Sequence, residues 1–128
     1  MVIALEPSET LRVLAQFGNP EISVICNTRP IYSVGVISGD QTYPEMEALQ
    51  QSVSELAAKS WFINATDIAL DRMKQPIYGN IILIGALAAT GYLPIERERF
   101  ESIAAKTMSP EKVALNLTAF DIGAESIH

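Results

Sequence analysis

Few side chains in this sequence could carry out chemistry. Cys26 is the only cysteine, and His128, the last residue, is the only histidine. Acidic residues are grouped at two places, Glu45 with Glu47, and Glu96 with Glu98 and Glu101. Paired carboxylates can serve acid–base catalysis, but these lie on the polar faces of predicted amphipathic helices, so we interpret them as solvated. We interpret Cys26, inside the apolar run ISVIC, as a small buried residue and predict no catalytic residue.

Metal and cofactor motifs are equally sparse. One cysteine cannot supply the roughly four thiolates that hold an iron–sulfur cluster, and a single terminal histidine offers no metal site or Ser–His pair. Neither GxGxxG nor GxxxxGK[ST] occurs, so no phosphate-binding loop is indicated. The sequence therefore predicts no metal ligand and no cofactor bound by this chain alone.

Three asparagines occur where polar side chains need an explanation. Asn80 and Asn116 interrupt apolar helical patterns, where an amide must find hydrogen-bond partners. Asn27 ends a predicted strand and precedes Thr28 and Arg29, at the place where open α/β sheets bind ligands. Arg29 could bind a phosphate or carboxylate bidentately. Local capping and helix–helix hydrogen bonds are one interpretation; the other makes Asn27, Thr28, Arg29 and Asn80 contacts to a ligand or another subunit.

Composition favours one soluble globular domain over residues 1–128. The sequence is 48% hydrophobic and 19% charged, which suits a packed core. The net charge of -6 disfavours nucleic acid and anionic membranes as partners. The start, MVIALEPSE, lacks the features of a secretory signal, so we expect a cytoplasmic protein.

The longest uncharged stretch runs from Gln75 to Ile95. It has the length to span a bilayer, but prolines bound it and only residues 81–89 are densely apolar. We predict a buried helix that ends near Gly91.

Apolar runs at 2–5, 22–26 and 60–65 are typical of interior strands, and the helical patterns between them favour parallel pairing. The expected class is α/β, with a short, mostly parallel sheet, flanking helices and a helical carboxy-terminal half. Other helices are predicted at 7–17, 44–59, 64–73, 93–106, with Ile103 facing inward, and 109–123, ended by Gly123. Residues 32–37 alternate weakly and predict an edge strand.

Six segments in order carry a family resemblance. They are VIALEPSETLR, ICNTRPI, YPEMEAL, INATDIAL, GNIILIGALAATGYLPI and KVALNLTAFDIG. Together they resemble the gamma component of 2-oxoacid:ferredoxin oxidoreductases, which pyruvate, 2-oxoglutarate and indolepyruvate enzymes share. The family's domain normally opens with a glycine-rich strand–loop–helix before the matched part, so we expect this chain to correspond to its carboxy-terminal portion.

The resemblance implies a function that the residues alone do not. The complete enzyme of that family oxidatively decarboxylates a 2-oxo acid to an acyl-CoA and reduces ferredoxin. Thiamine diphosphate and iron–sulfur clusters are carried mainly by its other components. The gamma component supports assembly and is a candidate contributor to coenzyme A binding.

Two functional hypotheses of different classes follow. The first is an accessory component, inactive alone, whose partners are the other subunits of the oxidoreductase. The alternative is a stand-alone α/β module that binds a small molecule or a protein; a nucleotide-dependent enzyme is disfavoured because no phosphate-binding loop is present. We also expect a homodimer, through an unpaired edge of strand 2–5 or through helix 81–89, where Asn80 would need a partner's hydrogen bond.

Overall fold

The computed structural model describes residues 1–127, which form two compact units, Met1–Phe62 and the part from Ile63 onward. The first unit holds the sheet and its helices, and the second is helical apart from the end of the last strand. The predicted α/β class with a helical carboxy-terminal half is confirmed. The assignment of 1–128 to a single domain stays a prediction, and His128, expected to fray, lies outside the described residues.

The sheet has three parallel strands in the order β1 (Val2–Ala4), β2 (Ser23–Asn27) and β3 (Lys59–Ile63). β1 pairs with β2 so that Val2 lies opposite Val24 and Ala4 opposite Cys26. All five residues of β2 are buried, which explains why its sequence does not alternate between apolar and polar residues. The central strand thus brings Asn27 to the carboxyl edge of the sheet.

Helix α1 (Pro7–Phe17) crosses from β1 to β2. Pro7 occupies the first turn, where a missing N–H costs nothing, and the amide of Gly18 closes the last turn on Leu14 O. Helix α3 (Met46–Leu56) packs beside α1. The core of this unit consists of Leu14 of α1, Val53 of α3, and Ile22, Val24 and Cys26 from β2 and the residue before it.

The predicted edge strand at 32–37 is wrong, because this segment forms the short helix α2 (Val34–Ser38). Ser33 caps the helix by accepting a hydrogen bond from the amide of Val36. Gly39 ends it in the left-handed conformation, at a φ of 86°. These two local signals outweigh the weak alternation of valine and isoleucine.

The second unit contains α4 (Ala65–Met73), a 3-10 turn (Pro76–Tyr78), α5 (Gly79–Thr90), α6 (Arg97–Thr107) and α7 (Pro110–Glu125). Asn64 and Ser109 cap α4 and α7 by accepting the amides of Asp67 and Lys112, as their positions in the sequence predict. α5 packs on both α4 and α7. None of the helices within residues 1–127 has the length and apolarity needed to cross a membrane.

Two glycines let α5 and α7 approach each other closely. A Cβ atom on Gly85 would lie 1.9 Å from the carbonyl oxygen of Phe120, and one on Gly123 would lie 1.8 Å from that of Ile82. Neither position can accept a side chain without moving a backbone. Gly123 is therefore a packing residue within α7, and the prediction that it ends the helix is wrong, since α7 continues to Glu125.

Two further expectations about the helical unit are corrected: that Ile103 faces inward, and that Asn80 needs a hydrogen bond from a partner chain. Ile103, predicted to face inward, is 59% exposed, whereas Ala104 is buried. α5 is the predicted buried helix, with Ile82, Leu83 and Ala86 almost fully buried. Asn80 lies on its first turn and is exposed, so water can satisfy its amide and no partner chain is required for that purpose.

Candidate functional site

The carboxyl ends of β1 and β2 lie side by side, because the two strands run parallel with Ala4 opposite Cys26. Asn27, at the end of β2, is 6% exposed and donates a hydrogen bond from Nδ2 to the carbonyl oxygen of Leu5 at 3.2 Å. This bond ties the end of β2 to the residue after β1. Asn27 is thus a buried structural contact at the predicted edge.

Glu6 is the residue at this edge that sequence reasoning did not identify. It is only 5% exposed. Its carboxylate accepts hydrogen bonds from Ser8 Oγ at 2.6 Å, from the Glu9 amide at 2.9 Å and from the Tyr43 hydroxyl. Burial alone would raise the pKa of Glu6, but the hydrogen bonds from Ser8, Tyr43 and Glu9 outweigh it and lower the pKa.

The one sequence feature that could have identified Glu6 as a helix cap is its position directly before Pro7. An N-cap precedes the first helical residue, and Pro7 marks that residue here. Serine, threonine, aspartate and asparagine dominate N-caps, so the sequence pattern did not point to a glutamate. The Glu6 carboxylate has a lowered pKa and three donors within the protein. It therefore acts as an anionic hydrogen-bond acceptor and would be a poor general base.

Tyr43 connects the segment between β2 and α3 to this carboxylate. Burial and the adjacent Glu6 carboxylate both raise the pKa of Tyr43, so its hydroxyl stays protonated and donates. The ring of Tyr32 meets that of Tyr43 edge-to-face, with centroids 5.1 Å apart. Tyr32, Tyr43 and Glu6 therefore form one polar and aromatic cluster within the first unit.

Cys26 directly precedes Asn27 on β2 and is 1% exposed. Its sulfur is 3.2 Å from the hydroxyl oxygen of Thr10. Burial raises the pKa of the thiol, and the nearby Glu6 carboxylate adds to that, although the Thr10 hydroxyl acts in the opposite direction. The buried interpretation is confirmed, and a protonated, enclosed thiol is not a nucleophile.

Thr28 and Arg29 directly follow β2, which ends at Asn27. Thr28 is half-buried and Arg29 is exposed. Of the predicted set Asn27, Thr28, Arg29 and Asn80, the first three are consecutive at the sheet edge, while Asn80 belongs to the helical unit. The acidic groups at 45–47 and 96–101 are exposed, as expected of solvated helix faces.

The helical unit contains a groove of about 580 Å³. Its walls come from the 3-10 turn, the start of α5, the end of α6 and the start of α7, and its polar members include Asn80, Ser109, Lys112 and Asn116. Pockets for small ligands commonly have volumes of about 300–1,000 Å³. The groove is therefore large enough for a small molecule.

Asn116 is 8% exposed and lines this groove. Its Nδ2 donates to the carbonyl oxygen of Lys112 at 2.8 Å and lies 3.5 Å from the sulfur of Met108. The amide nitrogen thus has partners inside the protein, as the structural interpretation requires. Within residues 1–127, no cluster of three or more metal-ligating side chains occurs in this unit or the other.

The fold and the sheet edge together define a small α/β protein with a buried carboxylate beside the strand ends. Residues 1–126 match the pyruvate ferredoxin/flavodoxin oxidoreductase family. The chain belongs to this family. The resemblance noted from the sequence is thereby confirmed.

Two relatives are the proteins named indolepyruvate oxidoreductase subunit IorB from Pyrococcus horikoshii and Methanothermobacter thermautotrophicus. The first is 31% identical over 127 residues, 98% of this chain. The second is 30% identical over 123 residues, 96% of this chain. The chain spans 62% of the length of each relative.

A solved structure has a similar fold. It is the gamma subunit of a keto/oxoacid ferredoxin oxidoreductase from Geobacter sulfurreducens, with a TM-score of 0.62 at 18% identity. The similarity covers 97% of this chain and 61% of that subunit. It supports the arrangement of strands and helices described above.

Proposed function

We propose that this chain is an accessory, gamma-type component of a 2-oxoacid:ferredoxin oxidoreductase and catalyses no reaction alone. The observation that carries the proposal is family membership over residues 1–126. The relatives' names, which describe a subunit, agree with it. The complete enzyme would convert a 2-oxo acid and coenzyme A to an acyl-CoA and carbon dioxide, and would pass the electrons to ferredoxin.

The cofactors of that reaction would be bound mainly by other subunits. An iron–sulfur cluster takes about four cysteine thiolates. This chain has one cysteine, and its thiol is enclosed beside Thr10. A cluster therefore does not fit the residues present, and we assign the clusters and thiamine diphosphate to the partner components.

The carboxyl edge of the sheet is the proposed contact site of this chain. Asn27 and Glu6 are buried and hold the edge together, whereas Arg29 is exposed beside them. A guanidinium binds phosphate and carboxylate groups well. We assign Arg29 the contact to an anionic group, either on coenzyme A or on another subunit, and Thr28 the neighbouring polar contact.

An Arg29→Ala variant tests this assignment, with Arg12→Ala as the matched control. Arg12 is an exposed arginine on α1 that pairs with Glu9 at 2.6 Å. Arg29→Ala should weaken coenzyme A binding by the reconstituted complex or weaken assembly with the other subunits. If both remain at the level of the Arg12→Ala control, the edge is not the contact site.

An assay of the purified chain tests the proposal that it catalyses no reaction alone. The chain is assayed with a 2-oxo acid, thiamine diphosphate, coenzyme A and a viologen dye, which reports electron transfer. The expected result is no dye reduction above background. Sustained turnover by the isolated chain would overturn the assignment as a non-catalytic component.

We also propose that the isolated chain forms a homodimer through β1. This strand is at an edge of the sheet, and an unpaired edge presents backbone donors and acceptors to a second chain. A two-fold axis would pair the two β1 edges antiparallel. Light scattering after size exclusion, across a dilution series, should give twice the chain mass of 14.0 kDa, and a monomer throughout would contradict it.

A further inference from the structure

We propose that the groove of the helical unit binds a small organic acid with a hydrogen-bond donor near its carboxylate and an apolar chain. The groove lies beside α7, where Lys112 and Asn116 are four residues apart and therefore on the same face of the helix. Ile77 and Met108 contribute its apolar lining. The inference concerns only the helical unit and does not depend on the proposed subunit role.

The oxygen of Asn116 supplies the first recognition element. The side-chain nitrogen is fixed by the carbonyl oxygen of Lys112 and the sulfur of Met108, so the orientation of the amide is set. No residue among 1–127 donates a hydrogen bond to Oδ1. No fully enclosed side-chain oxygen or nitrogen in that range lacks a partner, so this oxygen is accessible to solvent, and we infer that it faces the groove that Asn116 lines.

Asn116 is only 8% exposed, and because no residue among 1–127 donates to its Oδ1, the donor for this oxygen must come from outside the protein. Water can supply that donor in the empty groove. A ligand with a hydroxyl or N–H group supplies it while displacing the water. The ligand must therefore carry a donor.

Lys112 supplies the second recognition element. It lines the groove and makes no ion pair with any other residue that the structure describes. A lysine without a carboxylate partner attracts an anion, and a carboxylate next to the ligand's donor would reach Lys112 while the donor reaches Asn116. Asn80, exposed on the first turn of α5, adds a further amide to the groove.

The apolar lining of the groove determines the third requirement, which is an apolar chain on the ligand. Ile77 is 70% exposed and Met108 is 38% exposed, and both line the groove. Covering these side chains with an aliphatic chain removes apolar surface from water. A short 2-hydroxy acid with an alkyl chain meets the three requirements together.

Three probes separate the requirements. 2-Hydroxyhexanoate has the carboxylate, the donor and the alkyl chain; hexanoate lacks the donor; methyl 2-hydroxyhexanoate lacks the charge. Each is titrated into the full chain, and amide chemical shifts are followed by NMR. We expect saturable shifts around the groove with 2-hydroxyhexanoate at a dissociation constant of about 1 mM, and roughly tenfold weaker binding of the other two.

Two variants locate the binding. Lys112→Met should weaken binding of 2-hydroxyhexanoate roughly tenfold and leave that of its methyl ester unchanged. The control is Lys106→Met, since Lys106 is an exposed lysine that does not line the groove, and it should bind as the unaltered chain does. Asn116→Leu should remove the preference for 2-hydroxyhexanoate over hexanoate. Absence of saturable shifts at the groove, or equal loss in Lys106→Met and Lys112→Met, would overturn the proposal.

Discussion

Tyr43 donates a hydrogen bond to the buried carboxylate of Glu6, although the two residues are 37 positions apart in the sequence. The bond joins the segment before α3 to the residue that precedes α1. Glu6 also caps α1, so one carboxylate fixes both a helix start and a long connection. The bond therefore links two stretches of the first unit that are distant in sequence.

Replacing Tyr43 with phenylalanine should destabilise the chain. The variant keeps the ring but removes the donor to a buried, charged acceptor, at a cost of about 1–3 kcal/mol. Urea unfolding should show a lower midpoint with an unchanged m-value. Tyr32→Phe is the control, because the Tyr32 hydroxyl makes no hydrogen bond to a described residue while its ring contacts Tyr43. Equal midpoints for the two variants would show that the hydrogen bond contributes nothing.

Stability should fall on the acid side because of Glu6. Its pKa is lowered in the folded chain from an ordinary value of 4.5, so the unfolded chain binds the proton first as the pH falls. The stabilisation is present above the unfolded pKa and is lost as the pH falls through the folded pKa. Urea midpoints measured from pH 7 downward should decline less steeply below about pH 4.5 in Glu6→Gln. If the urea midpoint of Glu6→Gln falls with decreasing pH as steeply as that of the unaltered chain, this prediction is wrong.

Gly85 should not tolerate alanine. The added methyl group would overlap the Phe120 carbonyl oxygen and force α5 and α7 apart, at a cost of about 1–3 kcal/mol or more. Thermal unfolding followed by circular dichroism measures the loss. Ala89→Ser, an exposed change on the same helix, is the control and should leave the midpoint within a few degrees. Equal stability of Gly85→Ala would show that the helices are free to separate.

The ion pair between α6 and α7 should contribute little. Arg97 Nε lies 2.7 Å from Asp121 Oδ1 and Arg97 Nη2 lies 2.8 Å from Oδ2, but the side chains are 44% and 42% exposed. Solvent screening limits such a pair to about 0.2–1 kcal/mol despite its bidentate geometry. A double-mutant cycle with Arg97→Ala and Asp121→Ala measures the coupling. A coupling energy well above that range would mean that the pair is shielded from solvent.

Local patterns in the sequence predicted most helices. Ser109 followed by Pro110 and Asn64 followed by Asp67 mark helix starts through bonds that span three residues, so neighbouring residues suffice to find them. The uncharged stretch was correctly assigned to a buried helix, because its density of apolar residues required enclosure.

The candidate site was less predictable because its contacts are distant in sequence. Asn27 could be placed at the sheet edge from the end of its strand. Glu6 could not, since its partner Tyr43 lies 37 residues away and no local pattern marks the pair. The groove beside Asn116 likewise depends on how four helical segments pack, and the opening left between them has no signature in any one segment.

Reconstitution tests the proposed function most directly. The chain is co-expressed with a candidate thiamine-dependent component of a 2-oxoacid:ferredoxin oxidoreductase, and reduction of a viologen dye by a 2-oxo acid and coenzyme A is compared with and without the chain. A stable complex is expected, with turnover that depends on the chain and is absent from the chain alone. If the two proteins do not associate and the component is equally active without the chain, the assignment as a gamma-type component is wrong.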